Sequence, residues 1–233
     1  MEKQIINEMK MDASRKGAKF VASFSGGKDS TLAIYRAIKE GMIPLELLTT
    51  YNIDREMSWF HGIPKEILYR VSEEIKIPLS VMYTKGDEYT ANFELKLKEA
   101  KEKGAKYCIF GDIDLEGHRK WCTERCEAAG LEAYFPLWNE SRKKIVYEFI
   151  DSGFKSFINV IDGNKLSEDF AGQVLSRDLV DKIEAYGADI CGENGEYHTF
   201  VFDGPLFTKP VEFTCGEKTQ VGKNIVIPIN HPE

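Results

Sequence analysis

No apolar run in this chain of 233 residues approaches the roughly 20 residues that a bilayer-spanning helix needs. The segment Met1–Lys19 mixes charges with isolated apolar residues and lacks the continuous apolar stretch of a signal peptide. Both absences point to a cytoplasmic protein. A Lys/Arg-rich tail is missing too, and acids outnumber Lys and Arg 38 to 31, for a net charge of −7. Such a surface repels phosphate backbones at long range, which argues against nucleic acid as the partner. The basic run Arg142-Lys143-Lys144 reads as a solvated helix face, with a local RNA contact as the competing reading.

Cysteine is sparse and irregularly spaced: Cys108, Cys122, Cys126, Cys191 and Cys215. An odd, scattered set does not make a disulfide framework. Cys122 and Cys126 share a helix face, but a zinc site would need another close pair, and none exists. Packing is the expected role of these thiols. Internal repeats, low-complexity tracts and flexible linkers are absent as well. Two halves, 1–137 and 138–233, are expected to form one body.

What is present in the first half is an alternation of strand and helix. Lys19–Phe24 is a short apolar run, followed by a glycine loop and then Ser30–Glu40 with Leu32, Tyr35 and Ile38 at helical spacing. Gly41 stands where a helix ends. Further strands are expected at Leu45–Tyr51, Leu79–Tyr83, Ala105–Phe110 and Leu131–Phe135. Helices are expected at Lys65–Lys76, Glu88–Lys103 and near His118–Ala129. Five strands separated by helices predict an α/β fold: a Rossmann-like open parallel five-stranded sheet with helices on both faces. From about Leu137 the pattern changes. Helices at Ser141–Ser152 and Ser176–Tyr186 mix with strand-like pieces at Lys155–Ile161, Tyr197–Phe202, Val211–Thr214 and Asn224–Ile229, a smaller C-terminal α/β region.

In open parallel sheets, ligands bind outside the carboxyl ends of the strands. The chain concentrates its unusual residues there. Ser25-Gly26-Gly27-Lys28-Asp29-Ser30 joins the first strand to the first helix. Gly26 and Gly27 allow a sharp turn and a close backbone approach to oxygen atoms. The exposed N–H groups and the helix N-terminus suit phosphate. Ser25 and Ser30 add hydroxyls, and Lys28 can neutralise a phosphoryl oxygen. Asp29 beside phosphate makes sense with a Mg²⁺ ion between them. The loop is neither a Walker sequence nor G-x-G-x-x-G.

Three further stretches stand out. Tyr51 and His61 flank the segment after strand two. Gly111-Asp112-Ile113-Asp114, with Glu116 and His118, follows strand four as a candidate site wall or a solvated turn. The densest cluster is Cys191-Gly192-Glu193-Asn194-Gly195-Glu196-Tyr197-His198-Thr199, where Glu193, Glu196 and His198 crowd around two glycines. Carboxylates there can bind an amine, act as a base or hold Mg²⁺.

The phosphate loop resembles the SGGxDS pyrophosphate loop of the ATP pyrophosphatases. That resemblance implies an adenine nucleotide alpha hydrolase-like fold and cleavage of ATP between its α- and β-phosphates. Over roughly residues 18–208 the chain is similar to the diphthine–ammonia ligase family and its bacterial relatives. The similarity is carried by Ser25–Ser30, Trp59-Phe60-His61, Gly111–Trp121, Gly130–Trp138 and Gly192–Phe207. It implies an AMP-forming ATP-dependent ligase using ATP and Mg²⁺, which activates a carboxylate acceptor as an acyl-adenylate that ammonium or another amine then attacks. On that basis Ser25, Gly26, Gly27, Lys28, Asp29, Ser30, Tyr51, His61, Gly111 and Asp112 would bind the nucleotide. Asp29 would hold the metal, and Lys28, Asp29, Glu193, Glu196 and His198 would do the chemistry. The chain departs from the ligase form E-G-G-E-x-E-[TS] at Asn194 and His198. It departs again at Asp112, Asp114, Glu116 and His118, where ligases have a less acidic stretch. The nucleotide half matches and the acceptor half is altered. An adenosine-nucleotide hydrolase and a nucleotide-binding sensor are the alternatives, and a homodimer is the commonest oligomer for such a protein.

Overall fold

The structure is a computed structural model that describes residues 13–54, 57–58, 61–85 and 88–232. Its first half runs β1 (Lys19–Ser23), α1 (Lys28–Lys39), β2 (Ile43–Asn52), β3 (Met57–Ser58), α2 (Lys65–Ile75), β4 (Leu79–Thr84), α3 (Tyr89–Glu102), β5 (Tyr107–Ile109), α4 (Glu116–Ala128) and β6 (Glu132–Tyr134). The second half runs α5 (Arg142–Asp151), β7 (Lys155–Asp162), α6 (Arg177–Tyr186), β8 (Tyr197–Asp203), β9 (Thr214–Cys215), β10 (Thr219–Val221), β11 (Asn224–Val226) and β12 (Ile229–Asn230).

The five expected strands pair in parallel in the order β4-β2-β1-β5-β6. The short β3 adds an antiparallel sixth at the end of β2, pairing Tyr51 with Ser58. Side chains alternate across a strand, and the sequence uses that alternation to fill both faces. Phe20, Ala22, Leu47 and Ile109 face one core with Leu32, Ile34 and Ala37 of α1 and Ile67, Leu68 and Val71 of α2. Val21, Leu48 and Cys108 face the other with Phe93 and Leu97 of α3 and Cys122 and Cys126 of α4. The helices therefore lie on both faces, and the two cysteines of α4 are packing residues.

The second sheet is antiparallel, in the order β10-β11-β7-β8. It shares the first core, to which it contributes Phe157, Ile158, Phe200 and Val201. Here the expected strands need correction. Asn224–Ile229 is two strands, because Pro228 has no N–H to continue a ladder. The piece before it pairs with β7, and the piece after it pairs with β9. Of Val211–Thr214 only Thr214 is in a strand, although the Val211 N–H does donate to the Phe202 carbonyl at 2.7 Å. β10 is short and wholly exposed, so it carries no apolar alternation. Among the described residues no helix is long and apolar enough to cross a membrane.

Arg36 on α1 fastens the two halves. Its side chain is 2% exposed and forks onto two carboxylates. Nε and Nη2 donate to Glu148, Nη1 and Nη2 donate to Glu140, and Nη1 also reaches the Pro136 carbonyl at 2.7 Å. Removing one member of such a cluster strands the others without compensation. Arg36→Ala is expected to lower the unfolding free energy by about 3 kcal/mol in urea denaturation. Arg36→Lys should recover only part of this, because an ammonium cannot fork.

Candidate active site

The strand order reverses between β1 and β5, which opens a crevice at their carboxyl ends. The loop of residues 24–27 leaves β1 there and feeds α1, whose first residue is Lys28, so Lys28, Asp29 and Ser30 form the first helical turn. Gly26 takes φ +81°, which favours glycine. Ser25 Oγ lies 3.1 Å from Ser30 Oγ and accepts from the Gly27 N–H at 3.3 Å. Gly27 is the N-cap of α1 and makes no side-chain cap hydrogen bond. Gly111, after β5, lies against this turn so closely that a Cβ on it would meet Ser30 N at 2.6 Å.

The second sheet completes the site. Val201 N–H on β8 donates to the Gly26 carbonyl at 2.9 Å, and Lys28 N–H donates to Thr199 Oγ1 at 3.1 Å. The Lys28 ammonium is buried; it donates to Asp29 Oδ2 at 2.7 Å and to the Cys191 carbonyl. His61 Nδ1 donates to the Thr199 carbonyl at 2.8 Å, which leaves the Nε2 lone pair free to accept. His61 also packs against the phosphate loop: a Cβ on Gly27 would meet its Cε1 at 2.3 Å.

These segments enclose a cavity of about 500 Å³. Ser25, Asp29, His61, Asp112, Glu193 and His198 line its polar side, and Tyr89, Phe110, Leu115, Trp121 and Cys122 form an apolar end. Its electrostatics follow from burial and crowding. Burial, then Asp29, pushes the Glu193 carboxyl up to about 7, against the pull of Lys28, with Asp112 and Asp114 adding to the rise. Asp112 is likewise raised by burial, although His118 at 3.2 Å opposes the shift. Burial, then Lys28, lowers His61 to about 4 against the pull of the Thr199 carbonyl. Burial, His61 and Lys28 lower His198 to about 3. The two rings lie 4.9 Å apart and are both neutral at pH 7. Burial alone would lower Lys28, but Asp29, Tyr197 and Cys191 outweigh it and hold the ammonium above the usual lysine range.

Most of the expected site residues converge here. Four do not line the cavity: Gly26 and Gly27, which form the turn of the loop, and Tyr51 and Glu196. Tyr51 packs edge-on against Tyr83, with ring centroids 5.5 Å apart. Glu196 turns its carboxylate to the Asn194 N–H at 3.1 Å and so shapes its own loop. Trp59 and Phe60 fall outside the described residues. The sequence reading placed Tyr197 and Thr199 in its densest cluster without giving them a role, and it missed the aromatic end of the cavity and Asn159. The Asn159 amide donates to the His61 carbonyl at 2.6 Å from within β7. The available signal was a buried polar residue in an apolar strand, which must find partners. The basic run is a set of ion pairs: Arg142 with Asp114 and Asp189, Lys143 with Glu184, and Lys144 with Glu140.

Among the described residues no group of three or more His, Cys, Asp or Glu side chains could form a metal cage. A Mg²⁺ ion does not need one, since it is commonly held by one or two carboxylates together with substrate phosphates and water. Asp29 Oδ1 fits that use: it is buried in the phosphate loop and has no hydrogen-bond partner among the described residues.

A parallel sheet with a glycine loop at the reversal of strand order defines a nucleotide-binding α/β protein. Comparison with known proteins narrows this class. The model described as diphthamide synthase N-terminal domain matches residues 18–133, and that described as diphthamide synthase C-terminal domain matches residues 141–231. The chain belongs to this family and is an ATP-dependent ligase of it. It is 27% identical to the diphthine–ammonia ligase of Rattus norvegicus, over 84% of this chain and 83% of that one. The diphthine–ammonia ligase of Homo sapiens is 26% identical, over 82% and 80%. A crystal structure titled as a predicted subunit of a tRNA methyltransferase from Methanocaldococcus jannaschii aligns with a TM-score of 0.42 at 14% identity, over 83% of this chain and 100% of that one.

Gly111→Ala is expected to weaken ATP binding by on the order of tenfold or more in calorimetry, because the added Cβ meets backbone that cannot rotate away. Gly117→Ala, where a Cβ meets nothing within 4 Å, is the control.

Proposed function

We propose that this protein uses ATP to activate a carboxylate as its acyl-adenylate, releasing pyrophosphate, and passes the acyl group to ammonia or another small amine. The observation that carries this reading is a single cavity that joins the phosphate loop to the acidic loop of residues 191–199. A nucleotide alone would need only the first of these.

The roles follow from the chemistry. The loop N–H groups and the Ser25 and Ser30 hydroxyls would hold the departing pyrophosphate, with the α-phosphorus open to in-line attack by the acceptor carboxylate. Lys28 would neutralise charge on the leaving group. A Mg²⁺ ion held by Asp29 would neutralise further charge on the same oxygens. Glu193, held near neutrality, suits proton transfer at pH 7. It would take a proton from bound ammonium, and the freed nitrogen pair would attack the acyl carbon. The C–O bond to AMP then breaks, AMP leaves with the bonding pair, and the extra proton on the new amide nitrogen passes to the departing AMP phosphate or to water. His61 and His198 would offer hydrogen bonds as neutral imidazoles. Glu196 would fix the turn through Asn194. The acceptor is assigned by class, because Asn194 and His198 alter the loop that would meet it.

Product analysis tests the scheme. Mg-ATP and ammonium with a small-molecule extract of the host should give AMP and pyrophosphate, and without extract neither. AMP and pyrophosphate without extract would indicate hydrolysis, and ADP with phosphate would overturn the reading of the loop. Once an acceptor is in hand, kcat/KM for ammonium should rise with pH through about 7, as Glu193 loses its proton. Glu193→Gln should abolish that limb and slow amide formation by about 100-fold, while ATP binding stays native.

A further inference from the structure

Arg142 opens α5, directly after the N-cap Ser141, in a first turn that holds three cations and no acid: Arg142, Lys143 and Lys144. A helix N-terminus disfavours positive charge, so helix stability does not account for a guanidinium here. Its contacts do. Nε and Nη2 fork onto Asp114 at 2.9 and 2.8 Å, and Nη1 donates to Asp189 Oδ2 at 2.7 Å. The Asp189 side chain is 8% exposed. It accepts the Cys191 N–H on Oδ1 at 3.1 Å and the Glu193 N–H on Oδ2 at 2.8 Å. The Arg142 carbonyl accepts the Cys191 thiol at 3.0 Å.

We propose that Arg142 is a positioning residue: through Asp189 it fixes the backbone of the 191–193 turn, and through Asp114 it sets that turn against the loop after β5, so that Glu193 stands in the cavity with Asp29. The relay is one guanidinium, two carboxylates and two backbone amides. None of its three side chains lines the cavity, so Arg142 acts through Glu193 rather than on substrate. A forked cation suits the task, because two bonds to Asp114 fix the guanidinium plane and thereby aim the third donor at Asp189. Without the cation, Asp189 would be a buried acid with no ion-pair partner among the described residues, and it would relax toward solvent. Its two amides would lose their acceptor, and the turn would lose the constraint that holds Glu193. The further consequence for amine binding rests on the role proposed for Glu193 above.

The test uses the full chain and two variants. Arg142→Gln removes the charge and keeps much of the volume. Asp114→Asn weakens the fork from its more exposed side, where the Asp114 side chain is 34% exposed. Amide hydrogen exchange, followed by NMR, reads the turn with no substrate present. In Arg142→Gln the Glu193 and Cys191 amides should exchange on the order of tenfold faster, while amides of β1 and β5 stay native. Asp114→Asn should move the same two amides by a smaller factor, and it carries the test if Arg142→Gln does not melt cooperatively. In the ligase assay, KM for ammonium should rise on the order of tenfold while KM for ATP stays constant. Arg142→Lys, which keeps the charge, should restore part of both. Native exchange at Glu193 and Cys191 in both folded variants would overturn the proposal. Faster exchange with an unchanged ammonium KM would keep Arg142 as the positioner of the turn and remove the amine from Glu193.

Discussion

The attachment of the phosphate loop to β8 is the contact on which the rest of the site depends. A glycine loop at the end of β1 has few side chains of its own to hold its shape. Here the Gly26 carbonyl is tied to Val201 N–H and the Lys28 N–H to Thr199, and the Lys28 ammonium reaches the Cys191 carbonyl. The parallel sheet supplies the helix N-terminus, and the antiparallel sheet supplies the frame that holds its entrance. Each half alone would present unsatisfied backbone groups at this seam, which burial makes costly.

The nucleotide half was legible because its signals are local. Strand, glycine loop and helix follow one another within Lys19–Lys39, and apolar periodicity marks each element. The boundary of α1 was placed two residues late because Lys28 and Asp29 read as loop chemistry, whereas they are the first helical turn. The second half was harder for a physical reason. Its short strands β9 to β12 carry little apolar alternation, and pairing partners such as β7 and β11 are distant in sequence. In the site, residue type pointed to Glu193, His61 and Asp112, which the structure brings to one cavity. It could not identify Thr199 or Asn159, whose roles arise only when β7 and β8 are laid against the loops. It also could not tell that Glu196 turns inward to Asn194, since that depends on a backbone turn two residues long.

Burial first, and crowding of charges after it, explain the unusual charge states better than any single pair does. Asp29, Asp112 and Glu193 share one cavity, and its lysine is already committed to Asp29 and a carbonyl. A buried acid in that field holds its proton up to about pH 7, as Glu193 does, and a buried imidazole with Lys28 nearby stays neutral, as His61 and His198 do. Such a cavity favours ligands that bring positive charge alongside their phosphates. A magnesium nucleotide has that property, and bare polyphosphate lacks it.

Two forked arginines set the spacing between the halves. Arg36 projects from α1 and grips Glu140 and Glu148, which flank the start of α5 and lie within it. Arg142 begins α5 and grips Asp114 and Asp189. The helix that carries the phosphate loop and the turn that carries Glu193 are therefore both referenced to α5, one through each guanidinium. Both contacts are forked, and a fork fixes orientation as well as distance. A site assembled from two sheets needs that, since a shift of about 1 Å between its halves would separate the glycine loop from the turn that carries Glu193.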